Sequence, residues 1–286
     1  MTPLLAVPNV SEGRDTAALD AIGRAFEDGG ARLLDRHADA DHHRAVFTLA
    51  GDPGALAPAV VEGAREAVAR IDIGRHAGEH PRVGAVDVAP IVFLDEGDRG
   101  AACAEALVLA DALGRLGLPV YLYGALAGGR ARADLRRGGP EALIERTRPD
   151  YGPPRLHPAA GATLVAARPP LIAFNVELAP PATLEDARAI AALIREGGSE
   201  GLPGVRAIGV QLGHAAQVST NVEDHAAASP ADVVAAVRRH APVAAAELVA
   251  LAPRAAFADF PATVRLRNRA LIEDRLDPGD TSTLDT

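Results

Sequence analysis

The sequence predicts an α/β (α+β) protein that is divided into two α/β halves, residues 1–169 and 170–286. Up to about residue 168, short apolar runs alternate with segments in which apolar residues recur every three to four positions, the spacing of amphipathic helices. From residue 171 the order changes to strand, helix, strand, strand, helix, strand. That order is typical of a ferredoxin-like βαββαβ sandwich.

The first half contains five predicted strands and three predicted helices. The strands are expected at 4–8, 32–36, 44–51, 85–94 and 119–124. The helices are expected at 15–26, 53–71 and 99–117. Residues 125–160 are rich in Gly, Arg and Pro, so we expect a long surface excursion there with one or two short helices.

Two N-cap patterns predict where the helices of the second half begin. Thr183 and Asp186 have capping-box spacing, and this helix is expected to end before the glycine pair at 197–198. Ser229 and Asp232 flank a first-turn proline and predict the start of the second helix. The strands of this half are expected at 171–178, 205–213, 215–223 and 241–253.

Apolar and polar residues alternate along the strands of the second half, which predicts a sheet with one apolar and one polar face. The face expected to pack on the helices carries Ile172, Phe174, Val176, Leu178, Ile208, Val210, Leu212, Val218 and Val222. The opposite face is expected to carry Asn175, Glu177, Gln211, Gln217, Ser219 and Asn221. That polar face is either solvated, as in many antiparallel sheets, or it lines a ligand cleft or a domain interface.

Composition excludes several classes of function. The chain has no lysine, so a Schiff-base lysine, a lysine-bound pyridoxal phosphate and a P-loop lysine are all excluded. With Cys103 as the only cysteine, neither a disulfide within the chain nor a multi-cysteine metal site can form. The net charge of −9 argues against a nucleic-acid partner. No apolar run is long enough to span a bilayer, so we expect no membrane partner and a cytoplasmic location.

Histidines gather in two segments, HADADHHR at 37–44 and RHAGEHPR at 75–82, together with carboxylates. A zinc or iron site is one interpretation, because imidazole and carboxylate are suitable ligands. His76 and His80 are four residues apart, but Gly78 and Pro81 disfavour the helix that would place them on one face. We expect no metal, and a metal-dependent, amidohydrolase-like enzyme stays an alternative.

His80 is the candidate acid–base residue. An imidazole with an ordinary pKa of about 6.5 can take up and return a proton at neutral pH. Glu79 could orient His80, and Arg82 could hold a substrate carboxylate with two hydrogen bonds. A hydrogen-bonded loop histidine without a catalytic role is the alternative.

Seven separated motifs resemble the formiminotransferase family of histidine breakdown. They are VPNVSEGRD (7–15), DADHHRAVFTLAG (39–51), GEHPRVGAVDVAP (78–90), VYLYG (120–124), DYGPPRLHPAAGAT (150–163), LIAFNVEL (171–178) and QVSTNVED (217–224). The resemblance implies an N-terminal subdomain over 1–169 and a C-terminal subdomain over 170–286. It also implies that their mixed sheets face each other and that a folate binds between them.

The resemblance further implies an activity. The formimino group of N-formimino-L-glutamate would move to N5 of tetrahydrofolate, a co-substrate. His80 would remove the N5 proton and protonate the departing glutamate amine. The residues that would bind or orient the substrates are Asp39, Arg44, Arg82, Asn9 and Asn221. A folate-binding member of the family without this activity is the alternative.

The folate-contacting stretch of the family corresponds to ten consecutive residues here. They are Pro158, Ala159, Ala160, Gly161, Ala162, Thr163, Leu164, Val165, Ala166 and Ala167. We expect Gly161 to permit close approach of the backbone to the ligand. No cyclodeaminase region of comparable size follows, so a separate cyclodeaminase is expected, and a homodimer is left open.

Overall fold

The computed structural model describes residues 3–76, 82–213 and 215–277. The chain divides into two compact units, 1–169 and 170–286. Each unit contains one β-sheet and its own apolar core. The predicted α/β class with two α/β subdomains is confirmed. Within the described residues, no helix is long and apolar enough to cross a membrane.

The first unit is a seven-stranded mixed sheet with helices on both faces. Its strands are β1 (Leu4–Ala6), β2 (Asn9–Val10), β3 (Arg32–Asp39), β4 (Arg44–Gly51), β5 (Val86–Val92), β6 (Val120–Leu122) and β7 (Thr163–Arg168). Its helices are α1 (Thr16–Asp28), α2 (Leu56–Arg70), α3 (Arg99–Arg115), α4 (Arg132–Arg136) and α5 (Gly139–Arg146). The short α4 and α5 lie in the predicted surface excursion.

The strand order of this sheet brings the ends of distant segments together. Strands β1 and β2 each pair antiparallel with β4 on one side and β5 on the other, and β3 pairs with β4. Strand β7 pairs in parallel with β5, and β6 pairs in parallel with β7. The turn between β3 and β4 therefore lies near the loop after β2.

Strand β7 is absent from the sequence prediction. It is buried almost throughout and lies between β5 and β6, so its sequence TLVAAR shows no alternation of apolar and polar residues. Two small alanines further weaken the strand signal. This segment is part of the predicted folate-contacting stretch, and it forms an interior strand of the sheet.

The two faces of the first sheet are covered by different helices. Helices α1, α2 and α3 pack on one face around residues such as Phe26, Phe47 and Leu109. On the other face, Leu135 of α4 and Leu143 of α5 pack with Tyr121 of β6 and with Leu164 and Ala166 of β7.

The second unit has the predicted ferredoxin-like order. Its elements are β8 (Ile172–Leu178), α6 (Leu184–Ile194), β9 (Val205–Leu212), β10 (Ala215–Val222), α7 (Pro230–Arg238), β11 (Val243–Val249), β12 (Leu266–Arg267) and α8 (Ile272–Leu276). The sheet runs β12-β11-β8-β10-β9; the four predicted strands pair antiparallel with one another, and β12 pairs in parallel with β11. Both predicted capping boxes are present.

The predicted face assignment of β9 is wrong by one residue. Val218 of β10 pairs with Val176 on one side and with Gly209 on the other, so Gly209 faces the helices. Ile208 pairs with Ser219 on the opposite face and is 56% exposed. Val210 lies on that face with Ile208.

Packing of α6 on the sheet explains which residues of β9 face the helices. A Cβ at Gly209 would lie 2.4 Å from the backbone nitrogen of Arg188, so α6 packs closely on the sheet only because position 209 has no side chain. The same register moves Gln211 to the helix side, opposite Ala216. The residues of β9 that face the helices are therefore small or polar, such as Gly209 and Gln211, so hydrophobicity alone does not identify this face of the strand.

Candidate functional site

The loop after β2 packs against the turn between β3 and β4. The Glu12 carboxylate accepts hydrogen bonds from the backbone N–H groups of Gly13, Arg14 and Asp15 at 2.7–2.9 Å. Burial favours a higher Glu12 pKa, but these hydrogen bonds outweigh burial and the pKa lies below its ordinary value. A Cβ at Gly13 would lie 2.1 Å from the Asp39 carbonyl oxygen, so this contact requires glycine.

Asp39 organises the turn that follows β3. One carboxylate oxygen accepts hydrogen bonds from the backbone N–H groups of Asp41 and His42, both at 2.9 Å. The other lies 2.6 Å from His42 Nδ1. Burial opposes ionisation, but the hydrogen bonds and charge of His42 lower the Asp39 pKa to about 2. The carboxylate is therefore ionised at neutral pH, and its hydrogen bonds orient His42 and close the turn.

His43 and His76 form a stacked pair beside this turn. Their ring centroids are 4.1 Å apart, and His76 Nε2 lies 3.0 Å from the His43 carbonyl oxygen. His43 Nδ1 accepts from the Gly13 N–H at 3.1 Å. Burial lowers the pKa of both imidazoles, and the Arg82 charge lowers that of His76 further. Both rings are therefore predominantly neutral at pH 7.

Asp87 is the buried anion at the centre of an arginine-rich region. It is 2% exposed, and one carboxylate oxygen accepts the Val83 N–H at 2.8 Å. The other oxygen forms an ion pair with Arg136 of α4. The Asp87 charge also acts on the pKa values of Arg44 and Arg82.

His76 and Arg82 flank the segment 77–81, which contains His80 and lies outside the described residues. Arg82 is close enough to His43, His76 and Asp87 for their charges to be coupled. The residues on either side of the segment thus belong to one charged cluster. It consists of Glu12, Asp39, His43, Arg44, His76, Arg82, Asp87 and Arg136, and we call it the central cluster.

The predicted folate-contacting stretch lies mostly in the interior. Residues 160–167 are buried, whereas Pro158 is exposed and Ala159 is partly exposed. Gly161 has φ +67, and a Cβ there would lie 2.3 Å from the Val83 carbonyl oxygen. Gly161 therefore permits a close approach to the chain's own backbone, and the predicted approach to a ligand stays a prediction.

The pairing of Gly84 with Gly161 connects this stretch to the central cluster. The two residues form a β-bridge, and a Cβ at Gly84 would meet the Ala162 carbonyl oxygen at 1.9 Å. Since residues 83–84 directly follow Arg82, the 157–161 turn supports the chain that carries this arginine. Pro158, Ala159 and the backbone of the turn are the parts of the stretch that a ligand could contact.

The remaining predicted site residues lie in different places. Asn9 of β2 pairs with Val46, which places it on the same sheet face as Arg44. Its side chain donates to the Val7 carbonyl oxygen at 3.1 Å. Asn221 belongs to the second unit, on the sheet face opposite its helices.

That face of the second unit combines buried amides with an ion pair. Asn175 and Gln217 are 6% and 1% exposed, and Gln217 Nε2 has no hydrogen-bond partner among the described residues. Glu177 pairs with Arg267 at 2.7 Å. The predicted polar character of this face is present, with Ile208 and Val210 added to it.

The sequence prediction missed the residues that hold the central cluster together. Asp87, Arg136 and the pairing of His43 with His76 were not predicted. An aspartate within the otherwise apolar run AVDVAPIV was the available signal, because an acidic residue in a buried strand needs a partner. The part of the chain that the structure describes contains no group of three His, Cys, Asp or Glu residues arranged to hold a metal ion.

Comparisons with known proteins show the family to which the chain belongs. The chain matches the family model of the formiminotransferase domain, N-terminal subdomain, over residues 4–168. It is 40% identical to the glutamate formimidoyltransferase of Streptococcus pyogenes serotype M1 over 76% of each chain. It is 36% identical to the glutamate formimidoyltransferase of Thermoplasma acidophilum over 68% of each chain.

A longer relative matches over a smaller share of its length. The chain is 41% identical to the formimidoyltransferase-cyclodeaminase of Sus scrofa over 76% of this chain and 43% of that protein. The chain thus spans less than half of that relative. Together these similarities confirm the resemblance that the seven motifs predict.

Proposed function

Because the chain belongs to the formiminotransferase family, we propose that it is a glutamate formimidoyltransferase. It transfers the formimino group of N-formimino-L-glutamate to N5 of tetrahydrofolate. Residues 1–169 act as the N-terminal subdomain of the family and residues 170–286 as its C-terminal subdomain. The protein acts in the cytoplasm on these two small molecules.

The composition of the central cluster is the observation that carries this proposal. Three of its members are arginines, and burial lowers the pKa of Arg44 and Arg82. Formiminoglutamate has two carboxylates, and arginine binds a carboxylate through two parallel hydrogen bonds. Arg44 and Arg82 are the proposed partners of those carboxylates.

His80 is the proposed proton carrier. The new bond joins N5 of the acceptor to the formimino carbon, and the broken bond joins that carbon to the glutamate nitrogen. His80 takes the proton from N5 and delivers it to the glutamate amine, so it returns to its starting state after each turnover.

Asp39 and Asn9 have supporting roles in the proposal. Asp39 is ionised and holds the turn that precedes Arg44, so it positions that arginine. Asn9 lies on the same sheet face and offers an amide to the substrates. Asn221 of the second unit also offers an amide, and Pro158, Ala159 and the turn at 157–161 are the proposed folate contacts from the first unit.

A turnover assay tests the proposal directly. Purified protein is mixed with N-formimino-L-glutamate and tetrahydrofolate, and both L-glutamate and 5-formiminotetrahydrofolate are measured. We expect equal amounts of the two products. Binding of tetrahydrofolate without production of glutamate would favour a folate-binding family member that lacks the activity.

A further inference from the structure

A second group of arginines lies on α4 beside the central cluster. Arg132 and Arg136 belong to α4, and Arg168 ends β7. Tyr123 directly follows β6, and its backbone N–H donates to the Val165 carbonyl oxygen of β7 at 3.1 Å. We call Arg132, Arg136, Arg168 and Tyr123 the α4 arginine cluster.

Arg132 of this cluster lies in an unfavourable electrostatic environment. Burial lowers its pKa to about 10, and the neighbouring Arg136 and Arg168 charges act in the same direction. No hydrogen bond or ion pair of its guanidinium is found among the described residues. The nearby Asp87 carboxylate pairs with Arg136 instead. A desolvated cation without an anionic partner is destabilising.

Buried donors without partners point to the same place. Tyr123 is 7% exposed, and its hydroxyl has no hydrogen-bond partner among the residues that the structure describes. Tyr123 also lies close enough to Arg132 to act on that group's pKa. The Nε atoms of Arg136 and Arg168 are likewise buried and unpartnered. Buried polar groups are normally satisfied, so several unsatisfied donors around one position indicate that a ligand completes them.

We propose that the α4 arginine cluster binds a carboxylate group of a substrate, with Arg132 as its principal contact and Tyr123 as a second donor. The proposal rests on the proposed function, which supplies two carboxylate-bearing molecules. These are the amino-acid substrate with its two carboxylates and the glutamate tail of tetrahydrofolate. Three arginines against the single Asp87 carboxylate leave an excess of positive charge that one or two carboxylates would neutralise.

Binding measurements on the full chain test the cluster without relying on turnover. L-glutamate, tetrahydrofolate and tetrahydropteroate, which lacks the glutamate tail, are each titrated into wild type, Arg132→Gln and Tyr123→Phe. Arg137→Gln is the matched control, because Arg137 is the next residue after α4 but is exposed and pairs with Asp134. Arg132→Lys is the second variant, since lysine keeps the positive charge but lacks the two parallel N–H donors that a guanidinium offers to a carboxylate.

We expect Arg132→Gln to lower the binding affinity for one of the carboxylate-bearing ligands about ten- to a hundredfold, and Tyr123→Phe to lower the same affinity less. Weaker binding of L-glutamate assigns the cluster to the amino-acid substrate. Weaker binding of tetrahydrofolate with unchanged binding of tetrahydropteroate assigns it to the folate tail. Unchanged affinity for all three ligands in both Arg132 variants would overturn the proposal.

Stability distinguishes binding from a purely structural role. Removing Arg132 relieves repulsion with Arg136 and Arg168, so we expect Arg132→Gln to melt at the same temperature as wild type or higher. A lower melting temperature with unchanged ligand affinity would make Arg132 a structural residue. If wild type binds these ligands through Arg132 but yields no product, the proposed function fails and the carboxylate site stands.

Discussion

His76 packs its imidazole on that of His43 and reaches the carbonyl oxygen of the same residue, with ring centroids 4.1 Å apart and a 3.0 Å contact from Nε2. His43 has φ +48, in the left-handed region, and accepts from Gly13 in the loop after β2. Because His76 directly precedes the segment 77–81, this pair links that segment to both the β3–β4 turn and the β2 loop.

The first prediction separates proton transfer at His80 from support by His76. We expect His80→Ala to lower single-turnover rates roughly a hundred- to ten-thousandfold with little change in melting temperature, as expected for a positioned acid–base group. His76→Ala should reduce the rate far less, but it should lower stability by about 1–2 kcal/mol because the stack and hydrogen bond are lost.

Rates and melting temperatures of both variants check this prediction. His225→Ala serves as a control, because His225 lies in the second unit and its removal should change neither quantity. Near-wild-type turnover in His80→Ala would assign the proton to another group. A larger rate loss in His76→Ala than in His80→Ala would move the catalytic role to His76.

The second prediction concerns Gly161. Alanine at this position combines a positive φ with a Cβ 2.3 Å from the Val83 carbonyl oxygen, so the backbone has to shift. We expect a loss of about 2–4 kcal/mol in the free energy of unfolding. Gly128→Ala is the control, because Gly128 has φ +61 and no described atom lies within 4 Å of an added Cβ. The control should lose only about 1 kcal/mol.

Urea denaturation of the two alanine variants measures the difference. Because residues 83–84 follow Arg82 directly, Gly161→Ala should also weaken L-glutamate binding through Arg82, whereas Gly128→Ala should not. Equal destabilisation of the two variants would show that the contact with Val83 relaxes at no cost. Only the backbone conformation would then matter at Gly161.

Periodicity predicted most elements because most of them bury one face. The helices beginning at Thr16, Arg99 and Leu184 and the strand beginning at Arg44 agree with the predicted segments to within a few residues. Strand β7 was missed because both of its faces are buried, so period two is absent. The phase of β9 was missed because the close approach of α6 requires a glycine at position 209.

The residues of the proposed site were predictable from the sequence only where they belong to a recognisable motif. Asp39, Arg44 and Arg82 lie in conspicuous polar motifs, and the structure brings them together around Asp87. Arg132 lies in a segment rich in arginine, where single-residue patterns do not distinguish half-buried from exposed members. Its neighbour Arg137 is exposed, and only the fold separates the two.

The third prediction concerns the start of α2. This helix has Ala55 at its N-cap and lacks a side-chain cap of its own, but Glu105 of α3 accepts from Gly54 and Ala57 N–H at 2.6 Å each. Glu105 is 5% exposed. We expect Glu105→Ala to lower the free energy of unfolding by about 2–4 kcal/mol, since two charge-assisted hydrogen bonds are lost.

Chemical denaturation of Glu105→Ala and Glu105→Gln measures this capping contribution. Glutamine keeps an acceptor oxygen but not the charge, so it should retain part of the stability. Glu62→Ala on the exposed side of α2 is the control and should change stability by less than about 0.5 kcal/mol. Equal effects of Glu105→Ala and Glu62→Ala would contradict the capping role.

The fourth prediction is that chelation leaves turnover unchanged. Each described histidine next to the site already engages the protein: His42 contacts Asp39, His43 accepts from Gly13, and His76 contacts the His43 carbonyl. Among the described residues, these histidines do not form, with Asp, Glu or Cys, a group of three that could hold a metal ion. Activity is measured before and after exhaustive chelation, with added zinc as the second arm. Loss on chelation that zinc restores would favour the metal-dependent alternative.

The last prediction is that stability falls in two steps as pH decreases. The folded pKa values of His43 and His76 lie below the ordinary 6.5, so folding favours their neutral forms. Their contribution is complete above pH 6.5 and is lost as pH falls below it. The Asp39 pKa falls from 3.8 to about 2 on folding, so its contribution is present above about pH 4 and is lost between pH 4 and 2.

Urea denaturation across this pH range measures both steps, with a second step of up to about 2 kcal/mol. The double variant His43→Gln and His76→Gln should flatten the curve just below pH 6.5 and leave the acidic step in place. Asp39→Asn should keep the upper step and reduce the acidic step, because asparagine keeps the acceptor oxygen of the turn but carries no titrating charge; the lowered pKa of Glu12 leaves a smaller acidic step. If the double variant retained the step just below pH 6.5, that pH dependence would arise from other groups. The neutral His43–His76 stack would then not be the source of this part of the stability.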